Sequence, residues 1–284
     1  MTDIKAEYAL NDFLLQAQHL SVEQVRALES SLAEDPDNIQ ARLQVLAYYQ
    51  NPAISNESAR QEQFKHTIWI IDHEPTHSIC AWPWMWLGDN HSQKQLNEAK
   101  EHWQRQADDN PESAEIQGHA GIFLIFTDRQ LGQSYLERAK QLDPRNFRWP
   151  ENLARNYWWQ FCRDPEADLK KCAFAIQDNA RLAMELDKRE QPFLKKERLK
   201  QLAHTAVYLE RYAKARQYAE EYSEIARAMG SPGSLATLIE ALIDLKEGKD
   251  EAAWEKLKEQ TTRRTFSKWK KDIEAGLYPQ DAWF

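Results

Sequence analysis

Glycine is scarce in this sequence, and its scarcity limits the folds that the chain can adopt. There are 8 glycines among 284 residues, about 3%, against roughly 7% in an average protein. Sheet proteins need glycine-rich turns, so the composition argues against an all-β fold. The dominant residues are instead Ala, Leu, Glu, Gln, Lys and Arg, which favour helices.

Cysteine pairs and long apolar runs are also missing. Cys80, Cys162 and Cys172 are odd in number and widely spaced, which is typical of buried thiols and not of a disulfide framework. No apolar run approaches the length of a membrane span, and no signal peptide is readable at the N-terminus. We therefore expect a soluble cytoplasmic protein that does not associate with membranes, in a reducing compartment.

Basic residues are few in the first half of the chain. Residues 1–150 contain 13 Lys and Arg against 22 Asp and Glu, whereas the remainder contains 24 and 23. Phosphate contacts need a basic face, so this charge pattern argues against nucleic-acid binding. The acidic half instead predicts a protein or peptide partner with a basic segment. The basic runs at 188–200 and 263–271 are typical of solvated helix faces.

Catalytic motifs are absent with one exception. The sequence has no G-x-S-x-G, P-loop or Rossmann glycine pattern, but the segment HEPTH at 73–77 has the H-E-x-x-H form of zinc proteases. Such a site needs both histidines one turn apart on a continuous helix, and Pro75 disfavours that helix. We therefore interpret the segment as a helix stop, after which Thr76 or Ser78 caps the next helix.

A zinc hydrolase is the alternative interpretation of this segment. His73 and His77 would then bind the metal, with Glu98 or Glu101 of the following predicted helix as a third ligand. Cys80 lies close to His77 in sequence and suggests a nucleophile and base, but no third orienting residue accompanies them. The helix-stop interpretation predicts neither a metal nor a cofactor.

Prolines recur at a regular interval. Pro36, Pro75, Pro111 and Pro144 each follow one helix-like run and precede another, with separations of 39, 36 and 33 residues. A pair of helices with its turns occupies about this length. Proline ends one helix and a neighbouring polar residue can cap the next, so the spacing predicts repeated helix pairs.

The unit between Pro111 and Pro144 has the clearest pattern. Its first predicted helix, near 113–127, carries an apolar stripe at i, i+4, i+7 and i+8. Residues 128–130 form a turn, and the second helix, near 131–142, places small residues on one face so that the two helices can approach closely. The stripes consist of Ile116, Ala120, Phe123 and Leu124 in the first helix and of Gly132, Leu136 and Ala139 in the second.

This unit resembles the tetratricopeptide repeat, whose two helices carry small, aromatic and closing proline residues in a set order. Looser matches follow at 202–222 and 238–257, and the block at 64–75 resembles segments of uncharacterised bacterial repeat proteins. The resemblance implies an all-α fold, a right-handed solenoid of stacked antiparallel helix pairs with about thirteen or fourteen helices. The matching residues are Ala120, Phe123, Gly132, Leu136, Ala139 and Pro144.

The resemblance covers most of the chain, so we expect one solenoid domain over residues 1–284. The best candidate for a break is the charged segment from Asp187 to Pro192, but its composition does not require a separate domain. The expected parts are degenerate repeats at 1–111, the clearest repeat at 112–144, further repeats at 145–262, and a capping helix and tail at 263–284.

The resemblance also implies a function, because the concave surface of such repeats binds peptides. Trp158 and Trp159 lie about 100° apart on a helix, so both cannot face the same seam. If Tyr157 and Phe161 mark the core, Trp158 lies to one side of that stripe, and the resemblance implies that it points toward the concave surface. We therefore expect a non-enzymatic scaffold with a peptide-binding groove. The groove residues that the resemblance implies are Gln117, Leu124, Arg155, Trp158, Lys200 and His204.

A further alternative places a docking site at the C-terminus. Residues 263–271 are basic, and residues 276–284 are aromatic and contain a proline. Such a tail can fold back as a cap over the last repeat. Alternatively, it is the segment through which a regulatory or assembly subunit docks on its partner. The sequence leaves the partner, the pathway and the oligomeric state open.

Overall fold

All regular secondary structure in the described part of the chain is helical. The computed structural model describes residues 4–54, 56–88, 91–164, 166–189, 191–231, 235–260, 266–268 and 270–271. Within these ranges there are thirteen α-helices, three short 3-10 helices and no strand, which confirms the predicted all-α class. None of the helices in these ranges combines the length and apolarity needed to cross a membrane.

The chain divides into two compact units, residues 1–143 and 144–284. Their boundary falls at Pro144, the proline that closes the clearest predicted repeat. The segment from Asp187 to Pro192, which the sequence offered as a candidate break, instead joins two helices inside the second unit. It is held there because Asp187 accepts hydrogen bonds from Arg189 and Arg198, each at 2.8 Å.

Seven α-helices form the described part of the first unit. Each helix from the second onward packs against the next, and the first packs against the third. Three 3-10 helices lie in the connections, at Pro52–Ile54, Ser78–Ala81 and Pro83–Met85. The α-helices are α1 (Ile4–Ala17), α2 (Val22–Glu34), α3 (Ile39–Tyr49), α4 (Glu57–His73), α5 (Gln93–Asp109), α6 (Ala114–Leu124) and α7 (Arg129–Leu142).

Six α-helices form the described part of the second unit, and each packs against the next along the chain. Phe266 contacts Trp254 edge to face, with ring centroids 6.1 Å apart, and the rest of the predicted cap at 263–284 lies almost wholly outside the described residues. The helices are α8 (Arg148–Arg163), α9 (Leu169–Leu186), α10 (Pro192–Tyr208), α11 (Tyr212–Ala228), α12 (Leu235–Lys246) and α13 (Asp250–Gln260).

Four α-helices end two residues before the four prolines of the predicted series. The residue directly before each proline caps the helix and has φ between −132° and −128°. Proline clashes with a preceding residue in the helical conformation, which accounts for this common geometry and confirms the predicted stops. The pairs of helix end and proline are Glu34 and Pro36, His73 and Pro75, Asp109 and Pro111, and Leu142 and Pro144.

Polar residues after these prolines begin the next helices. The side chain of Asn38 accepts a hydrogen bond from Ala41 N, and that of Ser113 accepts one from Ile116 N. After Pro75 the prediction of Thr76 or Ser78 as the cap is wrong. The next element is the 3-10 helix Ser78–Ala81, so His77 occupies the capping position, and its Nδ1 accepts from the backbone N of the second residue of that helix at 3.1 Å.

Helices α6 and α7 cross at two glycines. A Cβ atom on Gly132 would lie 2.5 Å from the backbone N of Ile125 and 2.9 Å from the carbonyl O of Gly121. Real Cβ contacts are not this short, so the backbones approach as closely as they do only because Gly132 has no side chain. The small residue that the repeat pattern requires here therefore has a steric cause.

We expect Gly132→Ala to lower the free energy of unfolding of the first unit by about 1–3 kcal/mol, because the added methyl group meets backbone atoms that cannot rotate away. At an uncrowded helical position the same change would stabilise by about 1 kcal/mol. Urea denaturation followed by circular dichroism measures the effect. Ser134→Ala, at an exposed position of α7, is the control and should change stability by less than about 0.5 kcal/mol. A stabilised Gly132→Ala variant would contradict the close crossing.

Candidate functional site

The HEPTH segment does not form one helical turn. Helix α4 ends at His73, whose Nδ1 donates to Trp69 O at 2.9 Å and whose ring stacks on the Trp69 ring with centroids 4.4 Å apart. His77 lies beyond the stop and uses its Nδ1 as a helix cap. The two imidazoles therefore belong to different elements, and the continuous helix that the zinc signature needs is interrupted between them.

The other residues of the zinc alternative are not gathered around these histidines. Glu98 and Glu101 lie on α5, and Glu101 is exposed. Across the described ranges, no group of three or more His, Cys, Asp or Glu side chains is arranged to hold a metal ion. The geometry thus gives the zinc-hydrolase hypothesis no positive support.

The three cysteines are free and buried, as the sequence indicates. Burial raises the pKa of Cys172 to about 11 and that of Cys162 to about 12, and it raises the pKa of Cys80 further. The Cys80 Sγ donates to the backbone O of Glu74 at 3.6 Å. A protonated, enclosed thiol is a poor nucleophile, so the pairing of Cys80 with His77 has no chemical basis here.

Two of the six predicted groove residues lie inside the first unit. Gln117 is buried and its Nε2 donates to Ala107 O at 2.7 Å and to Asn110 O at 3.3 Å, which satisfies carbonyl groups at the end of α5. Leu124 is fully buried in the apolar core. Both side chains act in packing, so we leave them out of the candidate surface.

Two more predicted residues, His204 and Lys200, lie on α10 with little exposure. Burial lowers the pKa of His204 well below its usual value, so its ring is neutral. It packs 5.9 Å from the Trp158 ring, centroid to centroid. Lys200 forms an ion pair of 2.7 Å with Glu197. His204 therefore supports the Trp158 ring, and neither His204 nor Lys200 is exposed enough to contact a partner.

The remaining two, Arg155 and Trp158, lie together on the wall of a groove in the second unit. This groove lies between α8 and α10 and has a volume of about 290 Å³. We call it the α8–α10 groove. Its lining includes Glu151, Arg155, Trp158, Phe193, Leu194 and Arg198.

Aromatic rings give the groove its apolar character. Trp158 stacks on Phe161 with centroids 5.8 Å apart, so its ring is fixed from behind. Phe193, the second residue of α10, is 58% exposed. Phe193 is not among the predicted groove residues, because it lies within the run at 188–200, whose dominant sequence signal is its basic charge. The sequence signal that could have indicated Phe193 is a phenylalanine placed directly after Pro192 in an otherwise charged run.

Ion pairs hold the two sides of the groove together. The buried Arg198 of α10 contacts Glu151 of α8 at 2.9 Å and Asp187 at 2.8 Å. Burial alone would raise the pKa of Asp187, but hydrogen bonds from Arg189 and Arg198 lower it to about 2. Arg155 is half exposed and lies 3.6 Å from the same Glu151.

The first unit has a second cavity, of about 640 Å³, between α2, α3 and α4. No sequence motif indicated it. Its wall combines charged and apolar side chains, and the Arg42 guanidinium lies over the Trp69 ring, 3.7 Å from its centroid. The lining includes Glu29, Arg42, Glu62, His66, Ile68 and Trp69.

Comparison with known proteins adds no assignment, since no protein-family model matches the chain and no curated protein is significantly similar to it. The candidate sites therefore stand on their own geometry.

We expect the second unit to lose stability in acid through Asp187. The folded-state pKa of about 2 lies below the unfolded value of about 3.9, so the stabilisation is complete above about pH 5 and is lost progressively as the pH falls toward 2. The difference corresponds to roughly 2–3 kcal/mol. Asp187→Asn should lower stability at pH 7 by about this amount and flatten the pH dependence of urea unfolding. Asp178→Asn, at an exposed position of α9, is the control. Equal acid sensitivity in wild type and Asp187→Asn would contradict this role.

Proposed function

We propose that this protein is a non-enzymatic scaffold, built as a right-handed array of antiparallel helix pairs of the tetratricopeptide type, and that it binds a peptide segment of another protein. The observation that carries the proposal is the α8–α10 groove, which is lined by an exposed phenylalanine, a tryptophan stacked on Phe161 and a half-exposed arginine. The proposed binding requires no cofactor.

The packing order of the helices supports the repeat architecture. Helix α10 packs against α9 and α11, its neighbours in sequence, and also against α12, two positions along the chain. The Arg198–Glu151 ion pair joins α10 to α8, two positions before it. The first helices of successive pairs are thus neighbours, which is the arrangement expected of stacked helix pairs whose first helices line one surface.

The groove has the chemistry of a peptide-anchoring site. Exposed aromatic residues and arginines are frequent hot spots of binding interfaces, especially when they line a pocket. Phe193 and Trp158 can enclose one large apolar side chain, while Arg155 is available beside them for a hydrogen bond to the peptide backbone. We therefore propose that the occupant is an extended or helical segment with a single apolar anchor residue.

The charge of the first unit favours basic residues in the same partner. Residues 1–143 contain 11 Lys and Arg and 22 Asp and Glu. Charge of one sign over a surface raises the association rate of an oppositely charged partner, and salt screens this effect. The partner we propose thus carries basic residues as well as its apolar anchor, and it should associate more slowly as the ionic strength rises.

We expect a phage-displayed random peptide library to yield binders that share an apolar anchor near basic residues. Phe193→Ala should weaken such a peptide by roughly 1–2 kcal/mol or more, as for an interface hot spot, and Trp158→Ala should act similarly. Phe174→Ala is the matched control, because Phe174 is also a phenylalanine of the second unit. It lies on α9, is 40% exposed and does not line the groove. Isothermal titration calorimetry measures the affinities.

Two results would contradict the proposal. One is equal peptide affinity in wild type, Phe193→Ala and Trp158→Ala, which would place binding elsewhere. The other is an association rate that does not change between low and high salt, which would remove the role of charge. The alternative of docking through residues 263–284 concerns a segment almost wholly outside the described residues, and no observation favours it.

A further inference from the structure

Arg42, at the wall of the cavity between α2, α3 and α4, is a buried cation without an acid partner. Its exposure is 5%, and within the described residues no carboxylate lies within ion-pair distance of its guanidinium. Burying a charge is costly unless it is paired and hydrogen-bonded. Asp37 attracts the guanidinium electrostatically without forming an ion pair with it, so the buried charge of Arg42 is compensated only in part by the described residues.

Neutral groups hold the Arg42 side chain in place. One terminal nitrogen donates to Pro36 O at 2.6 Å, the other donates to His66 Nδ1 at 3.1 Å, and the guanidinium lies over the Trp69 ring. A guanidinium has five N–H donors, so two of them are used, and the buried Nε has no partner. The side chain is thus held in one position, and three of its N–H donors remain unused by the described residues.

His66 adds a second unused donor at the same wall. Burial, together with the nearby Arg42 and Lys65, lowers the pKa of His66 to about 3, so the ring is neutral. Its Nδ1 accepts from Arg42, which leaves the proton on Nε2. That atom is buried without a hydrogen-bond partner, and Glu62 is 3.9 Å away.

The carboxylates of this cavity differ from Arg42, because each already has a partner. Glu29 accepts a hydrogen bond from Tyr49 Oη at 2.6 Å, and Glu62 pairs with Lys65 at 3.2 Å. Asp72 accepts from His102 at 2.7 Å. The buried hydrogen-bond donors left unused at this wall therefore belong to Arg42 and His66.

We propose that this cavity binds the anionic group of a small organic ligand, a carboxylate or a phosphate, with Arg42 as its charge partner and the apolar side chains of Leu32 and Ile68 against the ligand body. Arginine binds both kinds of oxyanion through two parallel N–H donors. The volume of about 640 Å³ lies in the range of small-molecule sites. This proposal is independent of the α8–α10 groove, which lies in the other unit.

The test is calorimetric titration of the full chain with sodium benzoate and, separately, with sodium phosphate, at pH 7 and constant ionic strength. Benzoate presents a carboxylate on an apolar ring, whereas phosphate presents the oxyanion alone. The anion that binds with the higher affinity shows whether the site prefers a carboxylate or a phosphate. We expect saturable binding of one anion per chain. Arg42→Gln should weaken it by roughly tenfold to a hundredfold, the effect of losing a charged hydrogen-bonding partner.

Arg138→Gln is the matched control, since Arg138 belongs to the same unit, is 42% exposed and pairs with Glu112 at 2.7 Å away from the cavity. It should bind the anion as wild type does. Arg42→Lys keeps the charge but loses the paired donors, and circular dichroism checks that it folds. If Arg42→Gln does not fold, Arg42→Lys is the variant that tests the proposal, and we expect its affinity for the anion to be about tenfold lower than that of wild type. The proposal is overturned if neither anion binds wild type saturably, or if the Arg42 variant that folds binds as tightly as wild type.

Discussion

The clash between proline and a helical residue before it is the constraint on which the rest of this structure depends. It ends α2, α4, α5 and α7 two residues before a proline, with the same capping conformation each time. Helices that end at such intervals must pack against sequence neighbours to bury their apolar stripes. The same stop at Pro75 separates the two histidines of a motif that would otherwise indicate a zinc protease. One local steric rule thus shapes the fold and removes the geometric basis of an apparent active site.

Much of the fold could be predicted from the sequence because its signals are local. Proline positions, capping residues such as Asn38 and Ser113, and the small residue at Gly132 act on backbone atoms within a few residues or across one helix pair. The cap after Pro75 was mispredicted because a short 3-10 helix, and not an α-helix, follows the stop. The boundary between the two compact units also had no signal of its own beyond a proline of the series.

The candidate sites were harder to predict, because the exposure of a side chain depends on distant partners. Gln117 and His204 are polar residues that suit a groove, yet one serves the end of α5 and the other is enclosed behind Trp158. Arg155 and Trp158 do line a groove, but its exposed ring, Phe193, was concealed in a basic run. Two buried arginines also differ in partners that lie far from them in the sequence. Arg198 forms ion pairs with two carboxylates and joins helices, whereas Arg42 forms no ion pair with any described residue and lines a cavity, and no sequence pattern distinguishes them.

Backbone chemical shifts across residues 70–80, measured by NMR on the labelled protein, test the central constraint most directly. Helical Cα shifts should continue to His73, become non-helical at Glu74 before Pro75, and return only as a short turn after His77. The same break should recur before Pro36, Pro111 and Pro144. Uninterrupted helical shifts from Ile70 through His77, accompanied by chemical-shift changes at both histidines on adding zinc, would contradict the account.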